Sequence, residues 1–306
     1  METEITPIYE THLGKAYCAD SLELMRSVSP GSIDLALTSP PYALHFKKEY
    51  GNADQAEYVS WFIPFSKQIK RILKEGGSFV LNVGGAWTPG APLRSLYHFR
   101  LLLALCDEVG FHLCQEFFWY NPAKMPAPAE WVNVRRIRVK DSVEYIFWLS
   151  TTPFPKADNT QVLNEYSADM KRLIKRGVKR TVRPSGHNIT DKFATDKGGS
   201  IPSNVIECGN NESNSFYIKE SKRRGHKIHP ARFPAALPEF FIKFLTQPND
   251  LVLDPFAGSN TTGRAAESLG RRWLSIEKDR QYAEDSQLRF TSNEESLCTN
   301  GQDLLF

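Results

Sequence analysis

Cysteine is scarce and scattered in this chain of 306 residues. The five cysteines are Cys18, Cys106, Cys114, Cys208 and Cys298, and they form neither a CxxC pair nor a cluster with histidines. Disulfide frameworks need paired cysteines, and zinc sites need closely spaced ligands. The sequence therefore argues against a disulfide-stapled fold and predicts that no metal is bound.

Long apolar runs are also lacking. No stretch approaches the roughly 18 uninterrupted apolar residues of a membrane-spanning helix. Residues 1–10 are acidic and polar, whereas a secretion signal is basic and then apolar. Apolar residues still make up 41% of the chain, which is typical of globular proteins. We therefore expect a cytoplasmic protein without membrane contact, long enough for one large or two modest domains.

Net charge is small overall, at +3, but it is unevenly distributed. Residues 124–232 contain 21 Lys and Arg against 11 Asp and Glu, a net charge of +10, while the rest of the chain carries −7. A basic segment of this size favours contact with a polyanion such as nucleic acid. Charge alone is equally compatible with a solvated surface, so the motifs have to decide between these interpretations.

Strand-like apolar runs alternate with helical spacing over most of the chain. Strands are predicted over 33–38, 78–83, 112–119, 143–149, 250–254 and 273–276, and helices over 58–73, 96–108, 234–246 and 261–269. Such alternation predicts an α/β fold with a doubly wound, mostly parallel sheet.

The segment 151–225 differs in composition from the segments on either side. It is polar, rich in Lys, Arg, Ser and Asn, and has no sustained periodicity apart from a predicted short helix over 166–176. We therefore divide the chain into two α/β halves, 1–150 and 226–293, separated by an inserted region, 151–225. Residues 294–306 are predicted to form a tail.

A glycine-containing turn joins the predicted strand 250–254 to a helix. The turn has the sequence Asp254-Pro-Phe-Ala-Gly-Ser-Asn-Thr-Thr-Gly263. In doubly wound folds, a turn at this place holds a nucleotide. Glu277 ends the next strand, where a carboxylate can accept hydrogen bonds from the ribose hydroxyls. The patterns GxGxxG and GxxxxGK[ST] are missing, and no Lys or Arg in the turn could neutralise a phosphate. A nucleoside without phosphates therefore fits better than NAD or ATP, and a plain strand-turn-helix is the alternative.

Two consecutive prolines stop the strand predicted over 33–38. In the string Thr38-Ser-Pro-Pro-Tyr42 they fix the backbone, so the Pro40 carbonyl becomes a rigid acceptor beside the Ser39 hydroxyl. Two adjacent acceptors suit an amino group, and the Tyr42 ring offers a flat stacking surface. This combination suits a planar base with an exocyclic amino group, rotated out of a helix. A polyproline turn with a packed tyrosine is the alternative.

Together these two strings resemble the catalytic and cofactor motifs of S-adenosylmethionine-dependent DNA amino-methyltransferases. The catalytic motif comes first, as in the circularly permuted beta group. The strings Glu130-Trp-Val-Asn133, Ile137-Arg-Val-Lys-Asp141 and His229-Pro-Ala-Arg-Phe-Pro-Ala235 resemble the PvuII-type cytosine-N4 modification methylases. The resemblance, which extends over nearly the whole chain, implies a circularly permuted Rossmann-like methyltransferase fold with an inserted DNA target-recognition region at 151–225.

The resemblance also implies roles for individual residues. Ser39, Pro40, Pro41 and Tyr42 would form the catalytic site, where Ser39 and the Pro40 carbonyl accept hydrogen bonds from the target amino group and Tyr42 stacks on the flipped cytosine. The residues that would bind S-adenosyl-L-methionine are Asp20, Pro230, Phe233, Asp254, Phe256, Gly258, Ser259, Asn260, Thr261, Thr262 and Glu277. Among them Asp20 would lie near the adenine amino group and Glu277 would hold the ribose hydroxyls, while Pro230 and Phe233, with His229, match the segment that closes over the methionine part.

Double-stranded DNA is the partner that the resemblance implies. The predicted DNA-binding residues are Lys47, Lys48, Arg135, Arg136, Arg138, Lys140, Arg183 and His187. The expected function is that of a protective methylase in a type II restriction-modification system. We expect the protein to act as a monomer without an obligatory protein partner, and a cognate restriction endonuclease of the same system is the candidate partner. Two departures are visible: Asn82 stands where the PvuII-type branch tends to carry Asp, and Asn260 where the wider family more often has Gly.

Four alternatives are weighed against cytosine-N4 methylation. Adenine-N6 methylation uses the same geometry, usually with Asp or Asn in place of Ser39, and a non-catalytic DNA-binding protein could keep the fold. Methylation of protein glutamine is disfavoured by Ser39 and by the basic segment. Carbon-5 cytosine methylation is excluded, because it needs a Pro-Cys pair and none of the five cysteines follows a proline.

Overall fold

Nine strands form one sheet that carries the fold. The computed structural model describes residues 6–43, 53–177, 195–210, 215–226, 228–230 and 234–291, and only the backbone of 181–182 and 188–189. The sheet strands are β1 (Tyr9–Glu10), β2 (Gly14–Cys18), β3 (Ile33–Thr38), β4 (Leu73–Val83), β5 (His112–Tyr120), β6 (Val143–Ser150), β9 (Val205–Glu207), β10 (Leu251–Asp254) and β11 (Arg272–Glu277). Strands β7 (Thr181–Val182) and β8 (Asn188–Ile189) pair only with each other.

Eight α-helices are described, and most of them connect strands of the sheet. They are α1 (Ser21–Ser27), α2 (Tyr58–Ile72), α3 (Tyr97–Asp107), α4 (Ala168–Arg176), α5 (Phe216–Arg223), α6 (Ala236–Leu245), α7 (Thr261–Ser268) and α8 (Arg280–Ser286). Short turns of π-helix at Glu130–Val134 and of 3-10 helix at Asn159–Val162 and Gln287–Arg289 complete the secondary structure of these residues. None of the described helices is both long and apolar enough to span a membrane.

The sheet has the strand order β1-β2-β11-β10-β3-β4-β6-β5-β9. Strands β2, β11, β10, β3 and β4 are parallel neighbours, while β6 is antiparallel to both β4 and β5. The predicted doubly wound, mostly parallel α/β sheet is confirmed. The strands that precede the inserted region and those that follow it interleave in space, as expected of a circularly permuted order.

Apolar side chains cover both faces of the sheet. In β3, Ala36 faces one cluster while Leu35 and Leu37 face the other, because successive side chains of a strand point to opposite sides. The first cluster packs against helices α1, α2 and α3, and the second against α6 and α7. The sheet is therefore the middle of three layers, and polar ligands can approach it only at its edges and strand ends.

The boundary between α2 and β4 differs from the sequence prediction. Helix α2 ends at Ile72 and β4 begins at once at Leu73, whereas the predicted helix ended at residue 73 and the predicted strand began at residue 78. Gly76 adopts a positive φ of 71°, and the register of β4 against β3 shifts between Ile33 and Leu35. The glycines therefore form an irregularity inside the strand, because only glycine adopts this conformation without strain.

Residues 157–203 separate from the rest of the chain as a compact unit of their own, and residues 1–156 and 204–306 form the other unit. Within the small unit, helix α4 is capped by Ser167, and an isolated bridge joins Asn164 to Ser200. Strand β9 at 205–207 belongs to the main sheet, where it pairs with β5, although the whole segment 151–225 was expected to lie outside it. The predicted division of the chain into four parts stays a prediction.

Phe62→Ala is expected to lower the free energy of unfolding by about 3 to 5 kcal/mol, the usual cost of truncating a buried phenylalanine. Phe62 is fully buried and its ring lies within 6.4 Å of those of Tyr58, Phe79 and Phe256. Urea unfolding followed by circular dichroism measures the change. Phe154→Ala is the control, because Phe154 is 88% exposed and should change the free energy by less than about 0.5 kcal/mol. Equal effects of the two substitutions would contradict the packing described.

Candidate active site

Strands β3 and β10 bring together two parts of the chain that are distant in sequence. The strands are parallel, with Leu35 opposite Val252 and Ala36 opposite Leu253. Their carboxyl ends therefore meet at one edge of the sheet, the usual ligand position in such folds. The predicted catalytic string 38–42 and the predicted cofactor turn 254–263 begin there as direct neighbours.

A cleft of about 510 Å³ opens at this edge, a volume suited to a cofactor-sized ligand. The predicted residues that line it are Asp20, Ser39, Pro40, Pro41, Tyr42, Asp254, Phe256, Gly258, Ser259, Thr261, Thr262 and Glu277. Pro230 and Asn260 are not among the lining residues, and Phe233 lies outside the described residues. Most of the predicted catalytic and cofactor residues therefore share one cavity.

Asp254 connects the two strings through its carboxylate. One oxygen accepts from the Thr38 hydroxyl at 2.7 Å and from the Phe256 N–H at 3.1 Å, and the other accepts from the Thr262 hydroxyl at 2.6 Å. Burial raises the pKa of Asp254 to about 6, although these hydrogen bonds act in the opposite direction. Because both carboxylate oxygens are engaged in internal hydrogen bonds, the main role of Asp254 is to stabilise the turn.

The turn 255–260 approaches the end of β11 closely. Gly258 has a φ of 52°, and its N–H donates to Glu277 Oε2 at 2.8 Å, while Glu277 Oε1 accepts from the Asp279 N–H at 2.8 Å. A Cβ at Gly258 would lie 3.0 Å from the His229 ring, so a larger residue would push that ring away. Burial raises the pKa of Glu277 above its ordinary value, although the backbone N–H groups oppose this. The pattern places a partly desolvated carboxylate on the cleft wall.

Asn260 has internal hydrogen-bond partners, and its predicted role in cofactor binding stays a prediction. It is the N-cap of helix α7 in the left-handed conformation, with a φ of 56°, and it is 1% exposed. Its Oδ1 accepts from the Gly263 N–H at 3.0 Å and from the Ser275 hydroxyl at 2.6 Å, and its Nδ2 donates to the Tyr9 hydroxyl at 3.0 Å. A short amide tolerates this conformation and caps the helix. Asn260 therefore holds the turn from behind and does not face the cleft.

Asp20 lies on the same wall at the start of α1. Its carboxylate accepts from the N–H groups of Leu22 and Glu23, and the Lys278 ammonium is 3.7 Å away. The hydroxyl of the next residue, Ser21, donates to the Pro255 carbonyl. These contacts tie the first helix to the cofactor turn and place the Asp20 carboxylate beside a predicted nucleoside site.

Opposite this wall, four polar side chains form a hydrogen-bonded corner. The Ser39 hydroxyl donates to Tyr42 Oη at 3.1 Å, and the Tyr42 hydroxyl donates to Glu144 Oε2 at 2.7 Å. The Asn82 amide donates to Tyr42 Oη at 2.7 Å. Burial, reinforced by the neighbouring Glu144 carboxylate, raises the pKa of Tyr42 well above its ordinary value. Tyr42 is thus a neutral phenol in the working range of pH.

Backbone shape fixes the Tyr42 ring in this corner. A Cβ at Gly84, just beyond the end of β4, would lie 2.4 Å from the ring, so only glycine lets the ring rest against the strand end. The Tyr58 hydroxyl donates to the Pro41 carbonyl at 2.8 Å and holds the proline pair from below. The rigidity predicted from the two prolines therefore has additional support from α2 and β4.

Glu144 was not predicted from the sequence, yet it lines the cleft. It lies on β6, its side chain is 15% exposed, and its second oxygen accepts from the Lys124 ammonium at 3.0 Å. One feature could have identified it, because a carboxylate inside the apolar strand Val143–Ser150 is unusual. The aromatic lining by Trp61, Phe65 and Trp119 was missed as well, because aromatic residues in strands and helices are usually core residues.

The predicted DNA-binding residues that are described belong to the segment 121–142. Arg135 lies over the Trp131 ring, 4.9 Å from its centroid, and pairs with Glu130, while Arg136 is exposed with a φ of 54°. Lys140 is exposed and donates to the Pro122 carbonyl at 3.1 Å. These three cations can face a polyanion.

Arg138 differs from these three cations. Its side chain is 15% exposed and pairs with Asp141, a carboxylate that also binds Arg94 at 2.8 Å. An arginine held in this way braces the segment, and the structure does not present it to a partner. Lys47, Lys48, Arg183 and His187 lie outside the described residues. Within the described part of the chain, no group of three or more His, Cys, Asp or Glu side chains is arranged to hold a metal ion.

The class of protein that this sheet and cleft define is the DNA methyltransferases. Comparison with family models supports this class, because residues 33–288 match the DNA methylase family. The chain belongs to that family, and the predicted membership is confirmed.

Individual relatives agree with this assignment. The chain is 52% identical over 290 residues to the type II methyltransferase M.PvuII of Proteus hauseri, covering 94% of this chain and 86% of that protein. It is 30% identical to M.ScaI of Streptomyces caespitosus, covering 95% of this chain and 86% of that protein. The solved structure of PvuII DNA methyltransferase (cytosine-N4-specific) matches with a TM-score of 0.78 and 46% identity, covering 96% of this chain and 92% of that one. The resemblance to PvuII-type enzymes is confirmed.

Asp254→Asn is expected to remove a pH dependence of stability. Because the pKa of Asp254 is raised from 3.8 to about 6, the folded state binds the proton more tightly than the unfolded state. This contribution is fully present below the unfolded pKa and is lost as the pH rises through the folded pKa. At 1.36 kcal/mol per pKa unit, the loss is about 3 kcal/mol.

Urea unfolding of both proteins across this pH range measures the effect. The free energy of unfolding of the wild type, relative to that of Asp254→Asn, should fall by about 2.4 kcal/mol as the pH rises from about 4 to about 7, because part of the full loss has already occurred at pH 4. Asp107→Asn controls for the loss of one negative charge at an exposed position. A wild-type advantage that does not change with pH would show that the Asp254 proton is not coupled to folding.

Proposed function

We propose that this protein transfers a methyl group from S-adenosylmethionine to the exocyclic N4 of a cytosine rotated out of duplex DNA. The observation that carries the proposal is the common cleft, because the Ser39-Pro40-Pro41-Tyr42 corner and the turn after β10 line the same cavity. Family membership supports methylation of DNA, and similarity to an enzyme named as cytosine-N4-specific supports the choice of base.

The described cleft residues fit the proposed cofactor. Asp20 and Glu277 are carboxylates on one wall, suited to an amino group and to ribose hydroxyls, and Gly258 keeps the backbone open where a Cβ would meet His229. No basic residue is needed in the turn, since the cofactor has no phosphate. When bound, S-adenosylmethionine supplies an electrophilic methyl group on a sulfonium.

The catalytic corner acts by orienting and polarising the target amine. The N4 lone pair is delocalised into the cytosine ring, so the amine is a poor nucleophile. Hydrogen bonds from N4 to the Ser39 hydroxyl oxygen and to the Pro40 carbonyl would localise that lone pair and direct it into the cleft. The Tyr42 ring, held against Gly84, would stack on the base and restrict its plane.

Duplex DNA would contact residues of the basic segment 124–232. Exposed cations at Arg135, Arg136 and Lys140 are available for phosphates or for base edges. Exposed apolar residues accompany them, with Met125 at 78% and Val139 at 85% exposure. We assign target recognition to the inserted region 151–225, whose compact part carries the basic helix α4 with Lys171, Arg172, Lys175 and Arg176.

The proposed biological role is DNA modification within a type II restriction-modification system. It rests on the two curated relatives, both type II methyltransferases from bacteria. In this role the protein acts as a monomer in the cytoplasm, where bacterial DNA lies, and protects a short site from a cognate endonuclease.

The decisive measurement of the proposed function identifies the modified nucleoside. Purified protein is incubated with S-adenosylmethionine and a DNA library, and the DNA is digested to nucleosides for mass spectrometry. We expect N4-methylcytosine. Detection of N6-methyladenine would reassign the base, and the absence of any methylated nucleoside would indicate a DNA-binding protein that only retains the fold.

Ser39→Ala is expected to keep the affinity for S-adenosylmethionine within about threefold and to lower the turnover by about 100-fold or more, the usual size of an effect in which one polarising group is lost. Titration calorimetry measures the affinity, and transfer of a tritiated methyl group to DNA measures the turnover. The exposed Ser29→Ala is the matched control. Undiminished turnover by Ser39→Ala would overturn the assigned role.

A further inference from the structure

We propose that Glu144 is the terminal proton acceptor of the reaction and acts on the target amine through Tyr42 and Ser39. This inference rests on the proposed function and extends it to a residue outside both motifs. Glu144 lies on β6, 102 residues after Tyr42 in the chain, and both side chains line the cleft.

The hydrogen bonds form one continuous chain from Ser39 to Glu144. Ser39 Oγ and Tyr42 Oη are 3.1 Å apart, and Tyr42 Oη and Glu144 Oε2 are 2.7 Å apart. The direction of the chain is fixed by its neighbours. The Asn82 amide group donates to Tyr42 Oη at 2.7 Å, and a carboxylate only accepts, so the phenolic proton points toward Glu144.

Transfer of a methyl group leaves a proton that the site must remove. As the bond from N4 to the methyl carbon forms, the bond from sulfur to that carbon breaks, and its electron pair stays on sulfur. N4 then carries a positive charge and two hydrogens, one of which has to leave. Ser39 lies where it would accept that proton, but its hydroxyl is too weak a base to keep it.

A relay through the corner solves this difficulty. Ser39 Oγ takes the N4 proton while its own proton moves to Tyr42 Oη, and the Tyr42 proton moves to Glu144 Oε2. Ser39 and Tyr42 are regenerated, Glu144 becomes a neutral acid, and N4 becomes neutral. Because burial raises the pKa of Tyr42 well above its ordinary value, the phenol passes a proton on only as it receives another.

Glu144 is the suitable end of this chain among the described groups around it. The titratable groups that face it are Tyr42, the Lys124 ammonium at 3.0 Å, and Tyr97, whose hydroxyl donates to the Gly84 carbonyl. Asn82 contacts both Ser39 and Glu144 at 3.4 Å but is a neutral amide that cannot take a proton. Asn82 on β4 thus supplies only an amide to this corner, and the carboxylate comes from β6.

The test is a double-mutant cycle of Glu144→Gln and Tyr42→Phe. Each substituted side chain keeps the shape of the original one. Glu144→Gln removes the final proton acceptor, and Tyr42→Phe removes the hydroxyl between Ser39 and Glu144. We expect each to lower the single-turnover rate of methyl transfer by about 100-fold, and the double variant to be no slower than either single variant, because residues of one unit are not additive. Losses that multiply in the double variant would overturn the relay, and so would a Glu144→Gln rate within threefold of the wild type.

Two further readouts separate the relay from a structural role. The affinity for S-adenosylhomocysteine, and the fluorescence of 2-aminopurine placed at the target position, should stay within about threefold of the wild type in Glu144→Gln. Loss of either binding signal in Glu144→Gln would indicate a structural role of Glu144 and contradict the proposal.

The exposed Glu116→Gln on neighbouring β5 is the matched control and should leave the rate unchanged. Measuring the wild type on the same DNA distinguishes failure of the proposed function from failure of the relay. Absence of N4-methylcytosine with the wild type would overturn both the proposed function and the relay. Wild-type transfer with an unimpaired Glu144→Gln would overturn the relay alone.

Discussion

The hydrogen-bonded bridge from Thr38 through Asp254 to Thr262 is the interaction on which the site depends. It joins the end of β3 to the end of β10 and to the first turn of α7. A buried carboxylate is costly unless its oxygens are satisfied, and here hydroxyl and N–H groups supply those partners. The same hydrogen bonds hold the catalytic string at a fixed distance from the cofactor turn.

Neutral groups dominate the catalytic corner around this bridge. A hydroxyl, a carbonyl, a phenol and an amide lie where we propose that the target amine binds, and the Glu144 carboxylate accepts from the phenol. Such an arrangement suits an amine that must be polarised before it reacts. A strong base in direct contact would instead bind the amine tightly in the ground state, and only interactions that strengthen in the transition state accelerate the step.

Local sequence patterns were sufficient to predict the main strands and helices and to find the two motifs. The reason is that hydrophobic periodicity, prolines and glycines affect the backbone within a few residues of their own position. Ser39, Tyr42, Gly258 and Glu277 were thus identified as candidate site residues from the sequence, and the structure places all four in one cleft. The side chains of Asn260 and Arg138 turn to internal partners that the motifs did not indicate, and their predicted binding roles stay predictions. Glu144 was missed, because a lone carboxylate in an apolar strand gives no indication of which distant side chain it will meet.

The chain's composition and motifs determine which functional groups are present: a rigid pair of hydrogen-bond acceptors, an aromatic ring for stacking, a turn suited to a nucleoside and a basic segment suited to a polyanion. The tertiary structure decides which of these groups meet. Parallel pairing of β3 with β10 joins segments 216 residues apart, and antiparallel pairing of β4 with β6 places Glu144 beside Tyr42. The physical reason is that hydrogen-bond partners across a sheet are selected by burial of whole faces, which no short stretch of sequence encodes.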